Sequence, residues 1–134
     1  MANEAVCIET PTKFARYTIT NTQAIPLHTL LCLSGADLIA MPSTDAASET
    51  FAGIAWEEKT AGDGITQIVA ALDGVWDIKD SGSGITLGGI VSLSGVNLVK
   101  QAVEAEMVTG DIIGKALETA GASEVIRVRV GGII

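Results

Sequence analysis

Histidine occurs once in this chain, cysteine twice and proline three times, and aromatic residues make up only 4% of it. Each scarcity removes a class of function. The lone histidine, His28, lies inside an apolar run, where a hydrogen-bonded structural role is expected in place of base catalysis. Nucleophilic catalysis needs a Ser or Cys beside a base that a third group orients. Cys32 stands four residues from His28, but nothing nominates the third member. The two cysteines, Cys7 and Cys32, match no metal or redox spacing, and nothing points to an oxidising compartment. With so few rings, the core must be built from Val, Ile, Leu and Ala, and a sugar-binding platform has little to be made from.

Basic residues are also few. Eight Lys and Arg stand against sixteen Asp and Glu, a formal net charge of −8. A chain of that sign has no general attraction for nucleic acid or for an anionic membrane surface. The basic residues are scattered singly except Arg127 and Arg129, whose spacing puts both on the solvated side of a strand. No apolar run reaches the length of a membrane span or follows a basic leader, so a protein made and kept in cytoplasm, or in a particle assembled there, is expected.

Acidic groups form no recognisable site. Asp73, Asp77 and Asp80 miss the alternate-ligand spacing of a calcium loop. A Gly-x-Gly-x-x-Gly pattern begun at Gly82 fails because Leu87 stands at its last position. Glu57 with Glu58, and Glu104 with Glu106, lack the platform that glycoside chemistry uses. No catalytic residue, cofactor or metal ligand is therefore expected, and the chain does not read as an enzyme.

What the sequence does contain is an internal repeat. Residues 25–38 align without a gap on residues 85–98, with Ile, Leu, Leu, Ser, Gly and Leu identical at a spacing of 60. The echo continues through Gly53 and Gly114, Ala61-Gly62 and Ala120-Gly121, and Ile68–Trp76 against Ile126–Ile134. Two copies are too few for a solenoid. The pattern predicts an all-β fold: a small barrel or sandwich of two duplicated halves, 25–76 and 85–134, each closing the core of the other. At 134 residues the chain fits one domain.

Strands are expected at Tyr17–Thr20, Leu27–Leu33, Asp37–Met41, Phe51–Trp56, Ile65–Leu72, Val75–Ile78, Ile85–Leu93, Asn97–Ala102, Asp111–Glu118 and Val125–Val130, with glycine turns between them. The first apolar run, ending at Ser34-Gly35, suits a strand buried on both faces. Helices should be short at most: one turn begun by Thr44 or Asp45, and at most two turns within Lys100–Met107. Asp80 to Gly84 reads as a flexible linker between the halves.

Residues 1–16 have no counterpart in this alignment and read as an extended N-terminal arm ahead of a single β domain, 17–134. Sixteen extended residues reach roughly 50 Å, beyond a body whose radius of gyration is about 14 Å. Val6, Ile8, Phe14, Arg16 and Tyr17 are the expected contacts with a neighbour, through strand addition.

Gly53-Ile54-Ala55, the acids after it, Ala61-Gly62 and the strand end Leu72-Asp73-Gly74-Val75-Trp76 carry a wider likeness. Together with Ile112–Ala120 and the terminal strand, they resemble the head-decoration, or capsid cement, proteins of tailed bacteriophages. That resemblance covers residues 17–134. It implies a compact β-rich virion protein without catalysis, usually a homotrimer, bound to the major capsid protein on the outer surface of the head, which it stabilises. The recombinase label sometimes given to such proteins does not suit this chain, which lacks the phosphate-binding loop of an ATP-driven enzyme. The alternative is a non-catalytic β-barrel module that binds a ligand or carbohydrate within a larger assembly.

Overall fold

The computed structural model describes residues 3–33, 39–44, 50–104, 106 and 111–131. It is an all-β chain. Eleven strands are described: β1 Val6–Glu9, β2 Phe14–Thr18, β3 Leu30–Leu33, β4 Ala40–Pro42, β5 Phe51–Ala55, β6 Gln67–Ala71, β7 Gly74–Asp80, β8 Ile90–Gly95, β9 Leu98–Gln101, β10 Ile112–Ala116 and β11 Val125–Val130. The expected Ser34-Gly35 turn and the helical turn begun at Thr44 or Asp45 fall wholly or partly outside the described residues. So does part of the proposed Lys100–Met107 helix, of which a turn closed by Glu106 N–H on the Val103 carbonyl is described.

The strands form two sheets with one topology. One runs β2-β6-β5-β3-β4 and the other β7-β11-β10-β8-β9, with β1 added beyond β7. In the second sheet β7 also pairs in parallel with β9, Lys79 opposite Leu98 and Asp80 opposite Val99, which closes a five-stranded barrel. In the first sheet a single parallel bridge, Thr18 to Ile39, occupies the corresponding place.

The repeat is exact down to single hydrogen bonds. Leu31 faces Gly53 as Val91 faces Gly114. Ile25 bridges Lys59 as Ile85 bridges Ala120. His28 N–H donates to the Ala55 carbonyl as Gly88 N–H donates to that of Ala116, both at 2.9 Å. His28 and Gly88 share the left-handed conformation, φ 64° and 78°. Both halves carry a register shift at the echoed glycine of β5 and β10, where a bulge tightens the local twist. At Gly53 a side chain would meet the Ala71 carbonyl oxygen, and at Gly114 that of Arg129.

Two expectations change. The first concerns the arm. β2 pairs with β6, Ala15 opposite Ala70, just as β7 pairs with β11, Trp76 opposite Val128. Phe14–Thr18 is therefore the first strand of the first half, and its counterpart is β7. An extended arm is replaced by two strands, β1 on one sheet and β2 on the other, and a body boundary at residue 17 would cut through β2. Sequence comparison missed the pair because Ala15 answers Trp76 and Arg16 answers Asp77. The second change concerns the boundary between halves, which lies at Asp73-Gly74 and not at Asp80–Gly84. That glycine-rich stretch is held: one carboxylate oxygen of Asp80 accepts the N–H groups of Gly82, Gly84 and Ser123 at 2.9–3.1 Å.

The packing follows from strand alternation. Ile19, Ile25, Leu31, Ala40, Ala52, Ala55, Ile68 and Ala70 fill the first barrel, with Tyr17 packed against them. Four of these eight are alanines, as a narrow barrel requires. The neighbouring residues Leu30, Cys32 and Ile54 point the other way, into a larger cluster with Trp76, Ile78, Val91, Val99, Ile113, Ile126 and Val128 of the second half. Leu30–Cys32 is thus buried on both faces, a shorter stretch than the expected Leu27–Leu33, whose end residues Leu27 and Leu33 are exposed. Each barrel encloses side chains of its own, and the expected mutual closure is confined to the seam between them.

A polar staple crosses that seam. Asn97, in the tight β8–β9 turn at φ 57°, is fully buried, and its side-chain oxygen accepts the Leu30 N–H at 2.8 Å. The buried Ser43 hydroxyl donates to the Gly95 carbonyl at 2.9 Å and accepts the Asn97 N–H at 3.2 Å. The turn of one barrel is thereby hydrogen-bonded to strand β3 of the other.

Candidate interaction surface

The five expected contact residues are divided between the two sheets. Val6 and Ile8 are exposed on β1, which is laid on β7 with Val6 opposite Asp77 and a bulge between Cys7 and Glu9. Phe14 and Arg16 are exposed on β2, on the opposite side of that strand from Ala15 and Tyr17. Tyr17 is not free: it packs on the first core, and its hydroxyl donates to the Ala52 carbonyl at 2.8 Å. Burial pushes its pKa up. It is a structural residue, while the other four remain at the surface.

Phe14 leads into an aromatic cluster that scarcity of rings made hard to foresee. Its ring lies 5.7 Å from that of Trp56, which stacks on His28 at 5.7 Å. His28 in turn meets the edge of buried Trp76 at 4.9 Å. Three of these rings belong to the first half and one to the second, so the cluster spans the seam. His28 also anchors the N-terminal segment, since the Ala5 N–H donates to its carbonyl at 3.1 Å. Burial lowers the imidazole pKa, against a hydrogen bond with the Ala5 backbone that raises it. Burial thus favours the neutral form of the ring. The single histidine packs between the two tryptophans.

The acids act separately. Asp73 accepts the N–H groups of Thr12 and Lys13 at 2.7 and 3.0 Å and the Thr12 hydroxyl at 2.6 Å, fixing the connection from β1 to β2. Asp77 pairs with Arg127 at 3.0 Å. Asp80 is buried at the barrel end. Lys59, 2% exposed, is enclosed by the carbonyls of Asn21 and Thr60 at 2.8 and 3.0 Å and by Asp63 at 2.6 Å. Among the described residues no three His, Cys, Asp or Glu gather as metal ligands. No disulfide joins Cys7 and Cys32.

One open cleft of about 310 Å³ lies where β1 turns toward β2, lined by Glu9, Lys13, Asp73, Val75, Arg129 and neighbouring backbone. Arg129 lies with Arg127 on the exposed side of β11, whose inward positions Ile126, Val128 and Val130 are buried.

No family model matches the chain, and no curated protein matches it. Among solved structures, the fold is similar to that of the N base of head fiber gp8.5 in bacteriophage phi29. The similarity covers 88% of this chain and 92% of that one, with a TM-score of 0.54 and 18% sequence identity. At that identity the likeness is one of fold, and the protein that shares the fold is a head-associated part of a bacteriophage.

Proposed function

We propose that this chain is a structural protein of a phage virion, a decoration protein of the head. It binds the major capsid protein on the outer surface of the shell and stabilises the particle, as a homotrimer. The observation that carries this reading is the fold shared with the head fiber base over most of both chains. The sequence resemblance to capsid cement proteins points the same way from different residues. Val6, Ile8, Phe14 and Arg16 are the proposed contacts, apolar surface and one cation left exposed on two strands that join separate sheets. The net charge of −8 gives no reason to expect nucleic acid or membrane as a partner.

The test is co-sedimentation of the purified chain with expanded heads that lack it, assembled from the major capsid protein of the same phage. Saturable, stoichiometric binding with a raised temperature of head disruption is the expected result. Heads that neither bind the chain nor gain stability in its presence would refute the reading. Sedimentation velocity then separates a trimer in solution from one assembled by the lattice, where clustering makes weak contacts effective.

A further inference from the structure

We propose that the free edge of β2, at Phe14 and Arg16, is an acceptor for an extended, acid-bearing strand of another protein, added antiparallel as β1 is added to β7. The inference stands apart from the virion reading, because it follows from the internal repeat. In the second half, the outer edge of β7 is covered by β1, with Glu9 opposite Val75 and Val6 opposite Asp77. Pairing of β2 with β6 and of β7 with β11 makes Phe14 the equivalent of Val75, and Arg16 that of Asp77. The first half has the same edge without its cover: β2 ends its sheet.

The hydrogen-bond phase of β2 is fixed at both ends. Leu72 N–H donates to the Lys13 carbonyl and Ile19 N–H to that of Thr66, both at 2.9 Å. Residues 13, 15, 17 and 19 therefore bond to β6, and the N–H and C=O groups of Phe14 and Arg16 point away from the sheet. Among the described residues no backbone group meets them, and no hydrogen bond or ion pair engages the Arg16 side chain. Sheet edges are ordinarily protected by bulges, prolines or brevity. β1 is short and bulged, and β4 ends in Pro42. β2 pairs without a bulge through all five of its residues and exposes Phe14 beside Trp56.

Charge selects the occupant. Lys13 and Arg16 flank the edge in a chain that is otherwise strongly acidic. Two β2 edges brought together would oppose four cations, which disfavours a second copy. A strand with an acid opposite Arg16 and an apolar residue opposite Phe14 would complete both the ladder and the outward aromatic patch.

The test uses the full-length 15N-labelled chain and a synthetic peptide built on residues 4–10, with Val6→Glu, Cys7→Ser and Glu9→Val. These changes place the acid opposite Arg16 and the apolar residue opposite Phe14. Saturable shifts and slowed amide exchange centred on Phe14 and Arg16 are expected. Arg16→Pro removes an outward N–H and no bond to β6, and it should abolish binding while leaving the thermal midpoint near that of the parent. Arg16→Glu should do the same through charge, and carries the test if the proline variant does not fold. No response at millimolar peptide would overturn the proposal. So would shifts confined to β1 and β7, or equal binding of a peptide with Lys in place of that Glu. A dimer in sedimentation velocity whose Phe14 and Arg16 amides already exchange slowly would assign the edge to a second copy. Failure of the chain to bind heads leaves every one of these outcomes unchanged.

Discussion

Replacing Asn97 by glycine removes the side-chain bond of the staple between the barrels, that to Leu30, while sparing the backbone and the two Ser43 bonds. Asn97 adopts φ 57°, a left-handed conformation that glycine accepts without strain and alanine does not. The side-chain oxygen holds the N–H of Leu30, and both residues are fully buried, so water cannot take its place without opening the seam. A buried donor left unsatisfied costs about 1–3 kcal/mol. The greater freedom of glycine in the unfolded chain adds roughly 0.5–1 kcal/mol. For a chain of this size the total should lower the thermal midpoint by about 5–12 °C. Calorimetry measures that shift, and amide exchange at Leu30 locates it. Asn97→Ala should be worse than Asn97→Gly, because it adds left-handed strain of about 1–2 kcal/mol. A glycine variant with an unchanged midpoint and a Leu30 amide still protected would refute the staple, as would an alanine variant more stable than the glycine one.

Gly114→Ala should destabilise by about 1–3 kcal/mol, because its Cβ would run into the backbone carbonyl of Arg129; a denaturant midpoint at the parent's value would count against the bulge geometry. Gly88→Ala meets no atom and bears only the φ 78° conformation, about 1–2 kcal/mol. Gly88→His, copying the first half, should show whether aromatic neighbours are needed to offset that strain. Because burial holds the His28 pKa below its ordinary 6.5, the unfolded chain takes up a proton at a pH where the fold does not. Stability is therefore full above about pH 6.5 and falls as pH drops through that value toward the folded pKa. Urea midpoints between about pH 7 and pH 5 measure the slope, and His28→Gln should flatten it. Lys59→Met strips charged donors from the Asn21 and Thr60 carbonyls and from Asp63. A loss of about 1.5–3 kcal/mol, little changed by added salt, is expected in chemical denaturation.

The sequence is legible where both halves solve the same backbone problem with the same residue. Ile25 and Ile85 fill barrel ends, Leu33 and Leu93 continue equivalent strands, and Gly53 and Gly114 sit at equivalent bulges. Periodicity also reads Val125–Val130 correctly, because one face of β11 is buried and the other wet. The first strand of the repeat was not legible. β2 and β7 have one backbone role but different surroundings: Trp76 is fully buried in the larger cluster, whereas Ala15 is only half-buried. Packing partners, and not strand geometry, dictate those side chains, so their resemblance has been lost.

The same comparison separates two kinds of residue in a duplicated fold. Where the copies agree, residues serve closure of the barrel; where they disagree, each answers to surroundings that its counterpart does not share. His28 against Gly88 keeps a left-handed conformation that costs a side chain strain, and its ring joins Trp56 to Trp76 across the seam. Lys59 against Ala120 brings a buried cation to the loops around Asn21 and Asp63. Asp80 against Ile19 replaces an apolar core residue by a carboxylate that gathers three N–H groups at the end of β7. Each of these differences has its partner within the chain. The edge at Phe14 and Arg16 differs: Val75 and Asp77 lie under β1, with Asp77 also bonded to Arg127, whereas among the described residues no strand covers Phe14 and Arg16, although the Phe14 ring lies beside Trp56. The strand proposed above would give Phe14 and Arg16 the cover that β1 gives Val75 and Asp77.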